Sequence, residues 1–113
     1  MQEGDIAIAS IQQSDGVYKP RPVLVLRELP GFGDYLVCGI SSQIRQAVPD
    51  FDEVIHPDAD NQLRAVSVIR LTNLVALPKT DLNRAIGYIP DALHRDLLRR
   101  LPHYLTEHRA SPD

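Results

Sequence analysis

Alternating apolar and polar residues in the first half of the chain predict a series of short β-strands. Residues 5–11 alternate as a half-buried strand does, and residues 20–26 and 35–40 are apolar runs that follow turn sequences. Further strands are expected where the chain is rich in valine and isoleucine or otherwise apolar, namely at residues 52–56, 65–70, 74–77 and 85–89.

A four-residue leucine period replaces this alternation near the C-terminus. Leucine recurs at every fourth position across residues 93–105, which predicts one amphipathic helix over about residues 90–108. Pro90 suits the first turn of this helix, whereas Pro102 is expected to kink or interrupt it because proline removes one backbone hydrogen bond. Residues 109–113 are expected to form a frayed, flexible tail.

The order of these elements indicates the fold class. Several short strands without a long helical pattern between them predict a mainly β protein with a C-terminal helix, built as a small barrel or sandwich and not as a parallel βαβ sheet. A length of 113 residues fits a single domain over residues 1–108. It leaves no room for a two-domain Rossmann enzyme or a barrel of eight βα units.

The charges are unevenly distributed along the chain. A net charge of -3 argues against a general nucleic-acid coat protein, which would normally be strongly basic. Residues 50–60, however, contain five acidic residues and no basic one, so the rest of the chain carries 12 basic against 10 acidic residues. A basic face elsewhere is therefore compatible with the composition, and the acidic run itself is expected to be a solvated surface segment.

The single cysteine, Cys38, lies in an apolar stretch and is expected to pack in the core, so an internal disulfide and a cysteine-rich zinc site are excluded. Histidine occurs at positions 56, 94, 103 and 108; because three of the four lie on the expected helix, a solvated helix face explains them better than a metal site. No apolar run is long enough to span a membrane and the acidic start is unlike a secretory signal, so a cytoplasmic protein is expected.

Polar residues lie at the ends of several apolar strands, where a side chain is fixed by the strand and still reaches solvent. They are Arg21 between two prolines, Ser41 with the following Ser42 and Gln43, and Arg70 with Thr72. Taken singly, each also fits a surface arginine or an ordinary turn.

Four segments occur in a characteristic order: residues 4–6 (Gly-Asp-Ile), 19–26 (Lys-Pro-Arg-Pro-Val-Leu-Val-Leu), 39–44 (Gly-Ile-Ser-Ser-Gln-Ile) and 67–71 (Ser-Val-Ile-Arg-Leu). Followed by the amphipathic helix, this arrangement resembles the PemK/MazF family of toxins from bacterial type II toxin-antitoxin pairs. The resemblance runs from residue 4 to about residue 105.

The resemblance implies a compact SH3-like barrel of the PemK/MazF/CcdB type, a homodimer, and an antitoxin protein as partner. It also implies a metal-independent, sequence-selective endoribonuclease that cleaves single-stranded RNA without a cofactor. The family residues that act at the scissile phosphate correspond to Arg21, Ser41 and Arg70. The neighbouring residues expected to bind substrate are Lys19, Ser42, Gln43 and Thr72.

The general base is not assigned by the resemblance. Some relatives carry an aspartate where this chain has Thr72, and some carry a histidine or glutamate in or just after the first loop. Residues 12–20 of this chain offer only Asp15 and Tyr18. Asp15 is the candidate base, although Ser-Asp-Gly is also an ordinary turn sequence in which aspartate serves the backbone.

A second class of function stays open at this point. The same barrel could serve as a non-catalytic binding module, either a gyrase-inhibitor-like protein or an inactive RNA-binding relative. A hydroxyl with two arginines favours cleavage, because these groups suit a phosphate, whereas the lack of a clear base disfavours it.

A sharper hypothesis for the acidic run is that Asp58 and Asp60 repel RNA and limit what enters the groove.

Overall fold

In the computed structural model, which describes residues 1–107, the chain folds as a curled antiparallel sheet with one helix. The strands and the helix are β1 (Asp5–Gln12), β2 (Tyr18–Glu28), β3 (Tyr35–Ser41), β4 (Glu53–Ile55), β5 (Ser67–Leu77), β6 (Leu82–Tyr88) and α1 (Asp91–Thr106). The strand order is β4-β5-β3-β2-β1-β6, and every neighbouring pair is antiparallel. The mainly β fold with a C-terminal helix is therefore confirmed.

Alternate residues of the central strands pack into two separate cores on opposite faces of the sheet. On β2, Leu24 and Leu26 belong to a core that includes the helix, whereas Val23 and Val25 belong to a second core on the other face. This is the period-2 arrangement of a strand that is buried on both sides. The helix-side core also contains Cys38, as its apolar context predicts.

The helix covers the first of these cores, but its end differs from the sequence-based expectation. It runs from Asp91 to Thr106, so it ends before residue 108, and it continues through Pro102 without the expected interruption. Pro102 lies on the exposed side, while the buried Leu101 packs in the core and keeps this last part of the helix against the sheet. The expected tail at residues 109–113 lies outside the described residues.

His94 is a correction to the expected solvated helix face. Only 7% of this residue is exposed, and its Nε2 atom lies 2.8 Å from the backbone oxygen of Leu26. The ring also packs against Gly4, whose positive φ of 91° favours glycine. His94 therefore connects the helix to β2, because a buried imidazole needs a hydrogen-bond partner.

The strands expected at residues 65–70 and 74–77 form one strand, β5, that contains a bulge. Gly39 of β3 pairs with Arg70, and the preceding residue, Cys38, pairs with Leu74, so three residues of β5 have no partner on β3. A bulge of this kind interrupts the alternation of side chains and re-aims them. It decides where the side chains of residues 70–73 point.

Asp52 anchors this bulge, which corrects its expected place in a solvated acidic run. Only 7% of Asp52 is exposed. Its carboxylate accepts hydrogen bonds from the backbone N–H of Thr72 at 3.2 Å, from the Thr72 hydroxyl at 3.2 Å and from the N–H of Val48 at 3.0 Å. The buried charge is thus compensated by several donors, and it ties the segment before β4 to the bulge.

The loop between β4 and β5 connects the two edges of the sheet. The backbone oxygen of Asp60 accepts the N–H of Tyr88 on β6 at 3.0 Å, and the Tyr88 hydroxyl donates to the Asp60 carboxylate at 3.1 Å, which raises the pKa of Tyr88. Gly87 permits this contact, because a Cβ there would lie 2.5 Å from the backbone oxygens of Asp60 and Asn61. Asp58 accepts the N–H groups of Asp60 and Asn61 and so shapes the loop.

Candidate functional site

An open groove of about 1350 Å³ lies on the curled sheet and is lined by residues of both faces, among them Val23 of the second core and Ile40 of the helix-side core. It is bordered by the ends of β1, β2 and β3, the β4–β5 loop, the bulge of β5, and β6. The residues that line it with a charged or polar side chain are Arg21, Arg64, Arg70, Arg84, Gln12, Gln13, Gln43, Gln62, Asn73, Ser14, Ser41, Ser42 and Ser67.

The groove is the basic face that the composition allows. Four arginines line it, and among residues 1–107 no aspartate, glutamate or histidine does so, although the whole chain has a net charge of -3. The ion pairs of the described residues involve Arg27, Arg95 and Arg100, which lie elsewhere. The groove therefore concentrates positive charge that acidic side chains do not neutralise.

Arg21 reaches the groove because of its register on β2. It lies two residues before Val23 and thus on the same sheet face as the second core. Its neighbour on β1 is Ala9, a small residue that leaves space beside the long side chain, and Arg21 itself is exposed. The guanidinium group is therefore accessible to an anion.

Ser41 has a hydroxyl whose orientation is fixed by the backbone. Its Oγ atom accepts the N–H of Gln43 at 3.0 Å, which leaves its own proton free to be donated. Serine lacks the restricted rotamer of threonine, and this hydrogen bond supplies a comparable restriction. Ser41 lies two residues beyond Gly39 and so shares its sheet face.

Arg70 is half-buried and makes few hydrogen bonds within the protein. Its Nε atom is buried without a hydrogen-bond partner among the described residues, and its Nη1 atom donates to Gln46 only at a long 3.4 Å. An arginine with unused donors in a basic groove is suited to an anionic ligand, because guanidinium hydrogen bonds to phosphate are strong and directional.

The structure brings together five of the eight sequence-predicted site residues. Arg21, Ser41, Ser42, Gln43 and Arg70 all line the groove, whereas Lys19, Asp15 and Thr72 do not.

Each residue outside the groove has another observed position. The Asp15 carboxylate accepts the N–H of Val17 at 3.0 Å within the β1–β2 turn, so it serves the turn itself. Lys19 is exposed on β2 opposite Ile11. The Thr72 hydroxyl donates to Asp52 on the other side of the bulge.

The polar groove residues that the sequence does not single out include Gln62, Arg64, Asn73 and Arg84. Arg84 lies on β6 opposite Ile8 and reaches the groove because β6 pairs with β1. Gln62 and Arg64 are brought in by the loop that crosses to β6. No local motif marks these positions, and only the sheet order and the bulge place them.

A second, smaller groove of about 670 Å³ lies between the segment before β4 and the end of α1. It is mainly apolar, and the Phe51 and Tyr104 rings meet there at 5.2 Å between centroids.

Within residues 1–107, no group of three or more His, Cys, Asp or Glu residues could hold a metal ion. No helix of the same residues has the length and apolar character needed to cross a membrane.

Comparison with known proteins identifies the family. Residues 2–105 match the model of the PemK-like, MazF-like toxins of type II toxin-antitoxin systems. Among solved structures, the fold is similar to the Mycobacterium tuberculosis toxin MazF-mt6, with a TM-score of 0.66 and 28% sequence identity over 93% of this chain and 99% of that one. No curated protein sequence matches the chain.

The chain therefore belongs to the PemK-like, MazF-like toxins. It is a toxin of the MazF type from a type II toxin-antitoxin system, and this membership implies an antitoxin as its partner. The resemblance that the four ordered segments predict is confirmed over nearly the whole chain.

Proposed function

We propose that this toxin is a metal-independent, sequence-selective endoribonuclease that cleaves single-stranded RNA in the basic groove. The observation that carries the proposal is the convergence of Arg21, Ser41 and Arg70 in one groove that contains no acidic lining residue among those described. A polyanion with its bases unpaired fits such a site, because proteins read single-stranded RNA through exposed base edges and backbone contacts.

The reaction begins with attack of a ribose 2′-oxygen on the adjacent phosphorus. The P–O5′ bond breaks as the P–O2′ bond forms, so the products are a 2′,3′-cyclic phosphate and a 5′-hydroxyl. Extra negative charge develops on the phosphate oxygens in the transition state. In the proposal, Arg21 and Arg70 stabilise this charge with guanidinium donors, and Ser41 adds one hydroxyl hydrogen bond.

In the proposal, solvent water and not Asp15 accepts and supplies the protons. Asp15 is bound in its own turn, and the described lining of the groove holds no carboxylate or imidazole. The positive charge of Arg21 and Arg70 favours ionisation of the 2′-hydroxyl, since a nearby cation stabilises the charged form of an acid. Water then accepts the 2′-proton and supplies the proton to the leaving 5′-oxygen.

Two partner assignments belong to the same proposal. The RNA substrate is supported by the groove and by the family, and a homodimer is supported by the family. The measured mass of the purified protein in solution tests the dimer separately from activity.

The test is cleavage of a long single-stranded RNA in EDTA with the cut ends mapped. We expect discrete cuts by the wild-type toxin, loss of about 10²- to 10³-fold in rate for Arg21→Ala, and an unchanged rate for the matched control Asp15→Asn, which retains the turn acceptor. Intact RNA with the wild-type protein contradicts the proposal and favours the non-catalytic binding module, for which inhibition of DNA gyrase is the next assay. Loss of activity in Asp15→Asn returns the general base to that residue.

A further inference from the structure

Asn73 occupies the space above Gly39 in the floor of the basic groove. A Cβ atom built on Gly39 would lie 2.6 Å from Nδ2 of Asn73 and 3.5 Å from its Cγ. Gly39 has no positive φ, so its backbone does not require glycine. The lack of a side chain at position 39 therefore serves to admit the amide of Asn73.

The strand register places this amide among the three phosphate-binding candidates. Gly39 pairs with Arg70 on one side and with Val23 on the other. Ser41 lies two residues along β3 on the same face, and Arg21 lies two residues from Val23 on β2. Asn73 thus lies over Gly39 beside Arg70, and Arg21 and Ser41 lie in the next row of the same face.

The bulge of β5 is what directs Asn73 to this point. Thr72, the residue before it, is fixed to the buried Asp52 by its N–H and by its hydroxyl. The Asn73 carboxamide itself forms no side-chain hydrogen bond with any of residues 1–107. Asn73 is exposed and packs over Gly39, so its amide donors and acceptor are available to a ligand.

The chemistry of a carboxamide distinguishes its ligand from that of the arginines. Phosphate oxygens only accept hydrogen bonds, so they use the amide nitrogen and leave the amide oxygen unpaired. A base edge presents a donor beside an acceptor and can pair with both groups of the amide at once.

We infer that Asn73 is a specificity-determining residue that reads the edge of an RNA base next to the scissile phosphate. This inference rests on the proposed ribonuclease function, because it assigns to the groove a base-reading group beside its phosphate-binding groups. Gly39 acts as a positioning residue by leaving the space in which the amide lies.

The experiment compares cleavage spectra on a pool of single-stranded RNAs of random sequence, with cut ends sequenced and rates measured at each site. For Asn73→Ala we expect the ratio of rates between preferred and non-preferred bases at one position to narrow by about 10- to 100-fold, the usual discrimination of a two-bond amide contact. Gly39→Ala displaces only the flexible end of Asn73 and should narrow the same ratio. The double variant should add nothing to Asn73→Ala.

The control and the opposing outcomes separate this inference from the proposed function. Asn83→Ala changes an exposed asparagine of β6 outside the groove and should leave the spectrum unchanged. If the wild-type protein cleaves but Asn73→Ala has the same spectrum, or is slower by one factor at every site, base reading by Asn73 is overturned while the ribonuclease stands. If the wild-type protein cleaves no RNA in the pool, the proposed function fails and this inference fails with it.

Discussion

Arg70 and Arg100 are both half-buried arginines, yet their guanidinium groups have very different surroundings. Arg100 on α1 donates to Glu53 at 2.6 Å, to Asp96 at 2.7 Å and to the backbone oxygen of Phe51 at 3.1 Å. Arg70 in the groove has one long contact to Gln46 at 3.4 Å and a buried Nε with no partner among the described residues. The hydrogen-bond donors of the same side chain are occupied on α1 and largely unoccupied in the groove.

The difference separates a structural arginine from one available to a ligand. Burial alone would lower the pKa of Arg100, but its hydrogen bonds to Glu53 and Asp96 outweigh burial and raise the pKa. Because Glu53 is on β4, its ion pair with Arg100 connects α1 to β4 and stabilises the fold. Arg70 gains little from the protein, and a bound phosphate would complete its hydrogen bonds.

The largest expected effect comes from replacing Arg70, the arginine whose donors are available to a ligand. Arg70→Ala should lower the rate of RNA cleavage by about 10²- to 10³-fold, because one preorganised donor to the developing charge is lost. Its free energy of unfolding should stay within about 0.5 kcal/mol of the wild-type value. Rates on a single-site RNA and urea denaturation measure the two quantities. A variant that loses stability and keeps its rate would assign Arg70 to the fold.

The opposite pattern is expected for Arg100→Ala. Its free energy of unfolding should fall by about 1–3 kcal/mol, since hydrogen-bonding groups near Phe51 and Glu53 lose a charged partner. Cleavage by the fraction that remains folded should be unchanged, because α1 lies away from the groove. Urea denaturation gives the stability and an assay at low temperature gives the rate. A stable but inactive Arg100→Ala would mean that the helix contributes to the site.

The parts of the site that the sequence predicts are those fixed by simple strand alternation. Arg21 and Ser41 belong to regular strands, so their apolar neighbours on the same strand already indicate which face they share. The bulge of β5 removes this regularity. Thr72 is two residues from Arg70 and would share its face in a regular strand, but it bonds to Asp52, and Asn73 turns into the groove instead.

Long-range contacts account for the other differences between expectation and structure. Asp52 belongs to an acidic run, and His94 belongs to a helix with two other histidines, so both appear solvated from local sequence. Local sequence does not reveal their burial, because each bonds to a partner distant along the chain, 20 residues away for Asp52 and Thr72 and 68 residues away for His94 and Leu26. Such pairings follow from the sheet order, which periodicity does not give.

The pH dependence of stability tests how well the helix-side core, in contrast to the open groove, excludes water from the thiol of Cys38. Burial, followed by the charge of Asp52, raises the pKa of Cys38 from 9.0 to about 12. Between these values the unfolded chain releases the thiol proton and the folded chain keeps it, so stability falls as pH rises. The slope from this group is about 1.4 kcal/mol per pH unit.

This slope is measured by urea denaturation between pH 8 and 10.5, with Cys38→Ala as the comparison because all other titrating groups are shared. We expect the wild-type protein to lose stability more steeply than the variant above about pH 9. Parallel curves would mean that the folded thiol titrates normally, and rapid alkylation of the folded protein at pH 8 would contradict the shielding directly.

The smallest expected effect concerns Arg84, which is in the groove but is not one of the three residues proposed to act at the scissile phosphate. If it contacts a neighbouring phosphate, Arg84→Ala should reduce the slope of log affinity against log salt by about 0.7, the value for one phosphate contact on a single strand. Binding of an RNA with a 2′-deoxy substitution at the cut site measures this without cleavage. Arg95→Ala is the matched control, because Arg95 is exposed on α1 and pairs with Asp91 at 2.8 Å. Equal slopes for both variants would remove Arg84 from the phosphate-binding surface.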